Sequence, residues 1–251
     1  MGDSLHELEV RPLKAITELV KYLVAGRGTL GRPFQTESSF IPTRLLDENY
    51  NLSVKDPSDL DASVPDNRPD IEFMHIANNC ADTDHEPRKG VYSFLLTLVR
   101  PKSQGSVRLA TANPRARPDV DLGFLTDPED YVPLRKGVRL AQHIGELVRQ
   151  QGYQFDELLV PEGKSDEDVD RFIHANIRTC FHYTSTCRMG ADVSGERPSV
   201  VDTELKVHGV HGLRVCDTSV FPEIICSHTM APAVAIAEKC ADLMKAAASR
   251  K

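Results

Sequence analysis

The chain has 251 residues, 40% of them hydrophobic and 27% charged, with a formal net charge of −7 at neutral pH. That balance belongs to a globular chain with a core to bury. The acidic excess, without a cluster of Lys and Arg, excludes a phosphate-backbone footprint and with it a nucleic-acid partner.

In chain order, Leu8, Val10, Leu13, Ile16, Leu19, Val20 and Leu23 recur at near-helical spacing between Leu5 and Val24, broken by Pro12 and closed by Gly26, and predict an amphipathic helix. Gly26-Arg27-Gly28-Thr29-Leu30-Gly31 then spells the dinucleotide fingerprint G-x-G-x-x-G. That fingerprint needs a strand before it and, after it, a helix whose first amides face a pyrophosphate. Here a helix precedes and Arg32-Pro33 follows, so the segment is expected to be a glycine-rich turn.

Asp47 to Asp70 is rich in Asp, Asn, Ser and Pro and predicts a long surface loop or lid. Strands are expected at Ile71 to Ile76, Val91 to Val99 and Ser106 to Ala112, the last two as an antiparallel hairpin turning through Pro101-Lys102-Ser103-Gln104-Gly105. Two helices follow. Pro133 to Gln151 places Leu134, Val138, Ala141, Ile144 and Val148 on one face, and Ser165 to Arg178 opens with a capping box of Ser165 and Asp168. A strand-rich stretch from Leu205 to Val220 and a helix from Pro232 to Ala248 complete the chain. Strands in succession without intervening helices favour an α+β fold, a mostly antiparallel sheet covered by helices.

No apolar run approaches the roughly 20 residues that span a bilayer, and Met1-Gly2-Asp3-Ser4-Leu5-His6 lacks the features of a signal peptide, so a soluble, cytoplasmic protein with no membrane partner is expected. Cys80, Cys180, Cys187, Cys216, Cys226 and Cys240 include no Cys-x-x-Cys pair and are expected to be buried free thiols. No metal site is expected. His208-Gly209-Val210-His211 lacks the helical spacing and the third ligand a metal requires. Ser185 and Ser227 each lie near a histidine, but neither sits in Gly-x-Ser-x-Gly, which disfavours a serine hydrolase.

The chemistry concentrates in two histidines of the last third. His182 stands in Phe181-His182-Tyr183-Thr184-Ser185-Thr186-Cys187-Arg188-Met189-Gly190, and His228 in Cys226-Ser227-His228-Thr229-Met230-Ala231-Pro232. Two imidazoles facing one substrate atom supply a proton acceptor and a hydrogen-bond partner near neutral pH. His228 also precedes a helix whose first-turn N–H groups favour negative charge nearby.

These blocks resemble the closing segment of the glucose-methanol-choline (GMC) flavin oxidoreductases, with Val201-Asp202-Thr203-Glu204-Leu205 and Val215-Cys216-Asp217-Thr218-Ser219-Val220-Phe221-Pro222 between them in the same order. The resemblance extends upstream to Pro101-Lys102-Ser103-Gln104-Gly105 and Phe124-Leu125-Thr126-Asp127-Pro128. It implies a substrate-binding domain over residues 1–185 and, over 186–251, a segment that in the family completes the FAD domain. It implies that His182 and His228 are the catalytic pair, with Tyr183, Thr184, Ser227 and Thr229 on the substrate side. It also implies that Asp217, Thr218, His228, Thr229 and Met230 would touch FAD where FAD is supplied. Ser185 stands where many members have Gly.

The family's amino-terminal flavin-nucleotide module has no counterpart in this sequence. The leading expectation is therefore a flavin-independent enzyme with no cofactor. Its His182/His228 pair would do acid/base or hydrogen-bond chemistry (isomerisation, dehydration, lyase cleavage or cyclisation, including pericyclic closure) on a small natural-product-like molecule. The alternative is the C-terminal half of an FAD-dependent alcohol oxidase or dehydrogenase that takes its FAD-binding half in trans; a third reading is a non-enzymatic binding remnant. A homodimer or an FAD-half partner chain would cover the surface the missing module leaves.

Overall fold

The computed structural model describes residues 8, 11–32, 37–81, 90–195 and 197–249. They form two compact units, Met1–Leu98 with Tyr131–Ile177, and Val99–Asp130 with Arg178–Lys251. The expected boundary at 185/186 coincides with none of the three junctions between these units, at 98/99, 130/131 and 177/178.

In the first unit β1 (Ser38–Ile41), β2 (Ile71–Ile76) and β3 (Ser93–Leu98) form an antiparallel sheet in that order, with Phe73 opposite Ser39 and Leu96. The central strand has successive residues buried on both faces, so its sequence is continuously apolar where an edge strand would alternate. The exceptions are half-buried His75 and Glu72, the latter kept at 1% exposure by accepting the Ser38 hydroxyl at 2.6 Å.

α2 (Tyr131–Gln150) packs on β2 and β3, burying Leu134, Val138 and Leu140, and Gly137 brings its backbone against the Leu96 and Ile71 side chains. α3 (Asp166–Asn176) packs in turn on α2 and buries Val169 and Ile173. Arg135 clasps Asp170 across that contact through bonds of 2.6 and 2.5 Å. The capping box forms as expected, the Ser165 hydroxyl accepting the Asp168 N–H and the Asp168 carboxylate the Ser165 N–H. The expected Asp47–Asp70 loop is folded by tight turns at Pro57–Leu60 and Pro65–Asn67, and Arg44 ties it together by donating to Asp59, Asp66 and Asn67.

α1 (Pro12–Ala25) ends at Gly26, whose φ of 61° lets its N–H close on the Tyr22 carbonyl at 2.8 Å. Of the stretch preceding Pro12 that was expected to be helical, residues 5–7, 9 and 10 lie outside the described residues. The apolar face is not buried within the chain: Leu13 is 82% and Val24 81% exposed. The buried side chain is Glu18, which accepts the Thr29 N–H and the Lys21 ammonium, each at 2.7 Å. The amide that a phosphate would need thus belongs to the chain's own carboxylate, and the glycine segment is a turn after a helix.

Lys21 and the Thr29 amide hold the Glu18 carboxyl down from 4.5 to about 2. A depressed folded-state value gives stability that is full above 4.5 and is lost as pH falls toward 2. Glu18→Gln is expected to remove that part of the acid sensitivity, seen as a smaller drop in urea midpoint across this window than in the unsubstituted chain.

The second unit holds a two-stranded antiparallel ribbon of β4 (Ser106–Arg108) and β5 (Asp119–Asp121), and its core is Val201, Leu205, Val220, Phe221 and Cys240, the last on α4 (Met230–Ala248). Two expectations are corrected here. The hairpin of 91–99 with 106–112 does not form, because β3 pairs with β2 and β4 with β5. The segment between them is pinned by Asp130, 2% exposed, whose carboxylate accepts the Lys102 and Ser103 N–H groups at 2.7 and 2.9 Å, so these amides are not used in a hairpin turn. The stretch 205–220 holds isolated bridges, Val201 with Val207 and Lys206 with Arg214, and a tight turn at Thr218–Val220. Left-handed backbone at Leu205, Gly209 and Gly212 breaks it before a strand can run.

The cysteines are free but not uniformly buried: Cys240 is buried, Cys180 exposed and the other four half-buried. Burial and the adjoining Cys240 push the Cys216 thiol up to about 11, which leaves it unreactive. No helix among the described residues is long and apolar enough to cross a membrane.

Candidate functional site

Backbone bonds within the second unit bring the sequence blocks side by side. Cys187 and Met189 donate their N–H groups to the carbonyls of Ser219 and Val220 at 2.9 and 2.8 Å, while Gly190 donates to Val201 at 2.9 Å. Thr186 to Gly190 therefore runs between the 199–201 and 218–220 segments, and at Gly190 a Cβ would stand 3.2 Å from the Ser199 Cβ, a tight approach.

His182 and His228 meet as expected of a pair, ring centroids 5.1 Å apart and planes at 84°, an edge-to-face contact. His182 is half-buried and His228 exposed. Thr229 is buried as the N-cap of the 19-residue α4, and its own side chain makes no capping bond. His208 is not part of this pair: its Nε2 lies 3.0 Å from the Gly190 carbonyl, a bond internal to the fold.

The remaining expected residues are placed as follows. The Tyr183 carbonyl accepts the Thr218 hydroxyl at 2.8 Å, and the Tyr183 ring meets the Phe181 ring edge-on at 6.4 Å. Thr184 Oγ1 accepts the Ser185 hydroxyl at 3.1 Å. Asp217 caps the turn that follows it by accepting the Ser219 N–H at 2.8 Å. Ser227 and Met230 are exposed on either side of the cap. A cavity of about 580 Å³ elsewhere in this unit, lined by Val193, Ser199, Val200, Val207, His208 and Gly209, includes neither histidine of the pair.

Two features escape the sequence reading, and a third, at Ser185, is signalled there by the glycine of many family members. Cys180 Sγ lies 3.5 Å from His182 Nδ1, and the spacing Cys-x-His is the signal that could have found it. Arg188 Nε is buried with no hydrogen-bond partner among the described residues. Ser185 has φ 71°, the left-handed conformation that favours glycine. Ser185→Gly trades about 1–2 kcal/mol of backbone strain against about 0.4–1 kcal/mol of added unfolded-state freedom. A net gain of about 0.5–1 kcal/mol is expected in a urea titration.

The chain is similar to parts of longer proteins. The mitochondrial choline dehydrogenase of Mus musculus is 33% identical over 179 residues, which are 70% of this chain and 30% of that protein. The oxygen-dependent choline dehydrogenase of Brucella anthropi is 36% identical over 57% of this chain and 26% of its own length. The chain thus spans less than a third of these curated relatives. Among solved structures, an Aspergillus oryzae formate oxidase studied for its FAD modification superposes with a TM-score of 0.72 at 26% identity, over 93% of this chain and 42% of that one. The pyridoxine 4-oxidase of Mesorbium loti gives 0.66 at 25% identity, over 83% and 37%.

The expectation that no cofactor is used is corrected by these relatives, since the formate oxidase that matches nearly the whole chain carries FAD. A missing nucleotide module in one sequence is no evidence that the pair works without flavin. The C-terminal model of the GMC oxidoreductase family matches residues 101–237, more than half of the chain, and the chain belongs to that family.

Proposed function

We propose that this chain is the substrate-side and C-terminal portion of an FAD-dependent enzyme that oxidises the CH–OH group of a small molecule. The rest of the enzyme is joined to it or supplied by another chain. The observation that carries the reading is the edge-to-face His182/His228 pair at the start of α4, in a chain of this family. One imidazole takes the hydroxyl proton and the other holds the oxygen by a hydrogen bond, with Tyr183, Thr184, Ser227 and Thr229 around the substrate. FAD, when bound, supplies the acceptor for the hydride of the C–H bond.

Two tests of fit separate the parts of such a cofactor. The Gly26 to Gly31 turn does not fit a pyrophosphate, because Glu18 occupies the Thr29 amide. The surroundings of α4 do fit the ring: a helix start whose N-cap Thr229 side chain makes no capping bond favours negative charge. In the same unit Arg188 Nε is a buried donor that needs an acceptor. Asp217, Thr218, His228, Thr229 and Met230 are the residues that would hold the group. On this reading residues 1–185 are the substrate-binding domain and 186–251 complete the FAD domain. The exposed apolar residues Leu13, Leu23 and Val24 of α1 and Met230, Val234 and Met244 of α4 are the surfaces on which the rest would seat.

The test is to join the chain to, or mix it with, the flavin-nucleotide portion of a family member and add primary alcohols without oxygen. Bleaching of the oxidised flavin band by at least one alcohol is the expected result. A flavin-loaded assembly that no alcohol bleaches, across a panel including choline and aryl alcohols, overturns the reading.

A further inference from the structure

We infer that Cys180 is the positioning residue of His182: its thiol donates to Nδ1 and holds the imidazole in the tautomer that carries its proton on Nε2. The local backbone brings the two side chains together. Phe181, between them, has φ 61°, and its N–H is tied to Thr179 Oγ1 at 2.9 Å. The bend sends alternate side chains to opposite sides, so that the Phe181 and Tyr183 rings meet each other edge-on while Cys180 Sγ meets His182 Nδ1 at 3.5 Å. A left-handed phenylalanine is strained, so this turn is held by its surroundings.

The direction of the bond follows from the two groups. Neutral sulfur is a weak acceptor, whereas an imidazole nitrogen without a proton is a good one. S–H donating to Nδ1 uses the better half of each group, and N–H donating to sulfur uses the poorer half of the thiol. With Nδ1 occupied, the proton sits on Nε2, on the ring edge away from Cys180, and His182 is a hydrogen-bond donor. Resting on the function proposed above, this divides the labour of the pair: His182 donates to the substrate oxygen, and His228 takes the hydroxyl proton.

The test uses the chain alone, labelled with ¹⁵N-histidine, at a pH where the histidines are neutral, with the His182 signals assigned by their loss in His182→Gln. Unsubstituted chain should show His182 Nδ1 at a pyridine-type shift and Nε2 at a pyrrole-type shift. Cys180→Ala should reduce that tautomer preference by about two- to tenfold, the ratio that one modest hydrogen bond sustains. Cys180→Ser, which keeps a donor in place, should restore it. Cys180 is exposed, so neither substitution removes core contacts. A proton on Nδ1 in the unsubstituted chain overturns the inference, whatever the variants do, and so does an unchanged preference in Cys180→Ala. The readout needs no flavin: a chain whose flavin-loaded assembly fails to oxidise alcohols but shows this tautomer loses the functional reading and keeps this one.

Discussion

In the flavin-loaded assembly, His228→Ala is expected to lower the rate of alcohol-driven flavin reduction by about 10²- to 10⁴-fold, the range for removal of a proton acceptor from a transition state. His182→Ala, which removes a hydrogen-bond donor to the developing alkoxide, should cost about 10²- to 10³-fold. The double variant should lose less than the product of the two, because imidazoles 5.1 Å apart that serve one oxygen, as proposed, would act as a unit. Rapid-mixing absorbance separates these losses from weaker alcohol binding, since a pure binding defect is overcome by raising the alcohol concentration. Single variants that reduce flavin at the unsubstituted rate would remove both histidines from the chemistry.

The largest effect on stability is expected at Leu205. It is 1% exposed in the core that also holds Val201, Val220, Phe221 and Cys240, and its backbone is left-handed with φ 62°. Leu205→Ala should destabilise the second unit by about 2–5 kcal/mol, as a cavity in a packed core does. Leu23→Ala on the exposed face of α1 should change the isolated chain by less than about 0.5 kcal/mol. Comparable losses at the two positions would mean that α1 is covered within this chain. A urea titration followed by near-ultraviolet circular dichroism distinguishes the cases.

Much of the fold is legible in the residues. Ile71 to Ile76 reads as a strand from Ile71, Phe73, Met74 and Ile76, the α2 face from Leu134 and Val138, and the start of α3 from Ser165 and Asp168, because these signals are local. The failures are non-local. Nothing near Pro101 to Gly105 says that Asp130 will take its amides, and the apolar alternation of 205–220 hides three left-handed residues. The histidine pair is legible because its neighbours in sequence are distinctive. Its support by Cys180 is not, since a thiol in a list of cysteines carries no sign of its exposure or of the bend at Phe181. The expectation of no cofactor fails for a different reason: the absence of a nucleotide module from this sequence says nothing of flavin, which a relative matching nearly the whole chain carries.

The most direct measurement of the central claim is a flavin difference spectrum. Adding this chain to the FAD-bearing portion of a family member should shift the oxidised flavin band, and the shift should differ in His182→Ala and His228→Ala if the pair faces the ring as proposed. A flavin spectrum identical with and without the chain, when sedimentation shows the two bound, would contradict it.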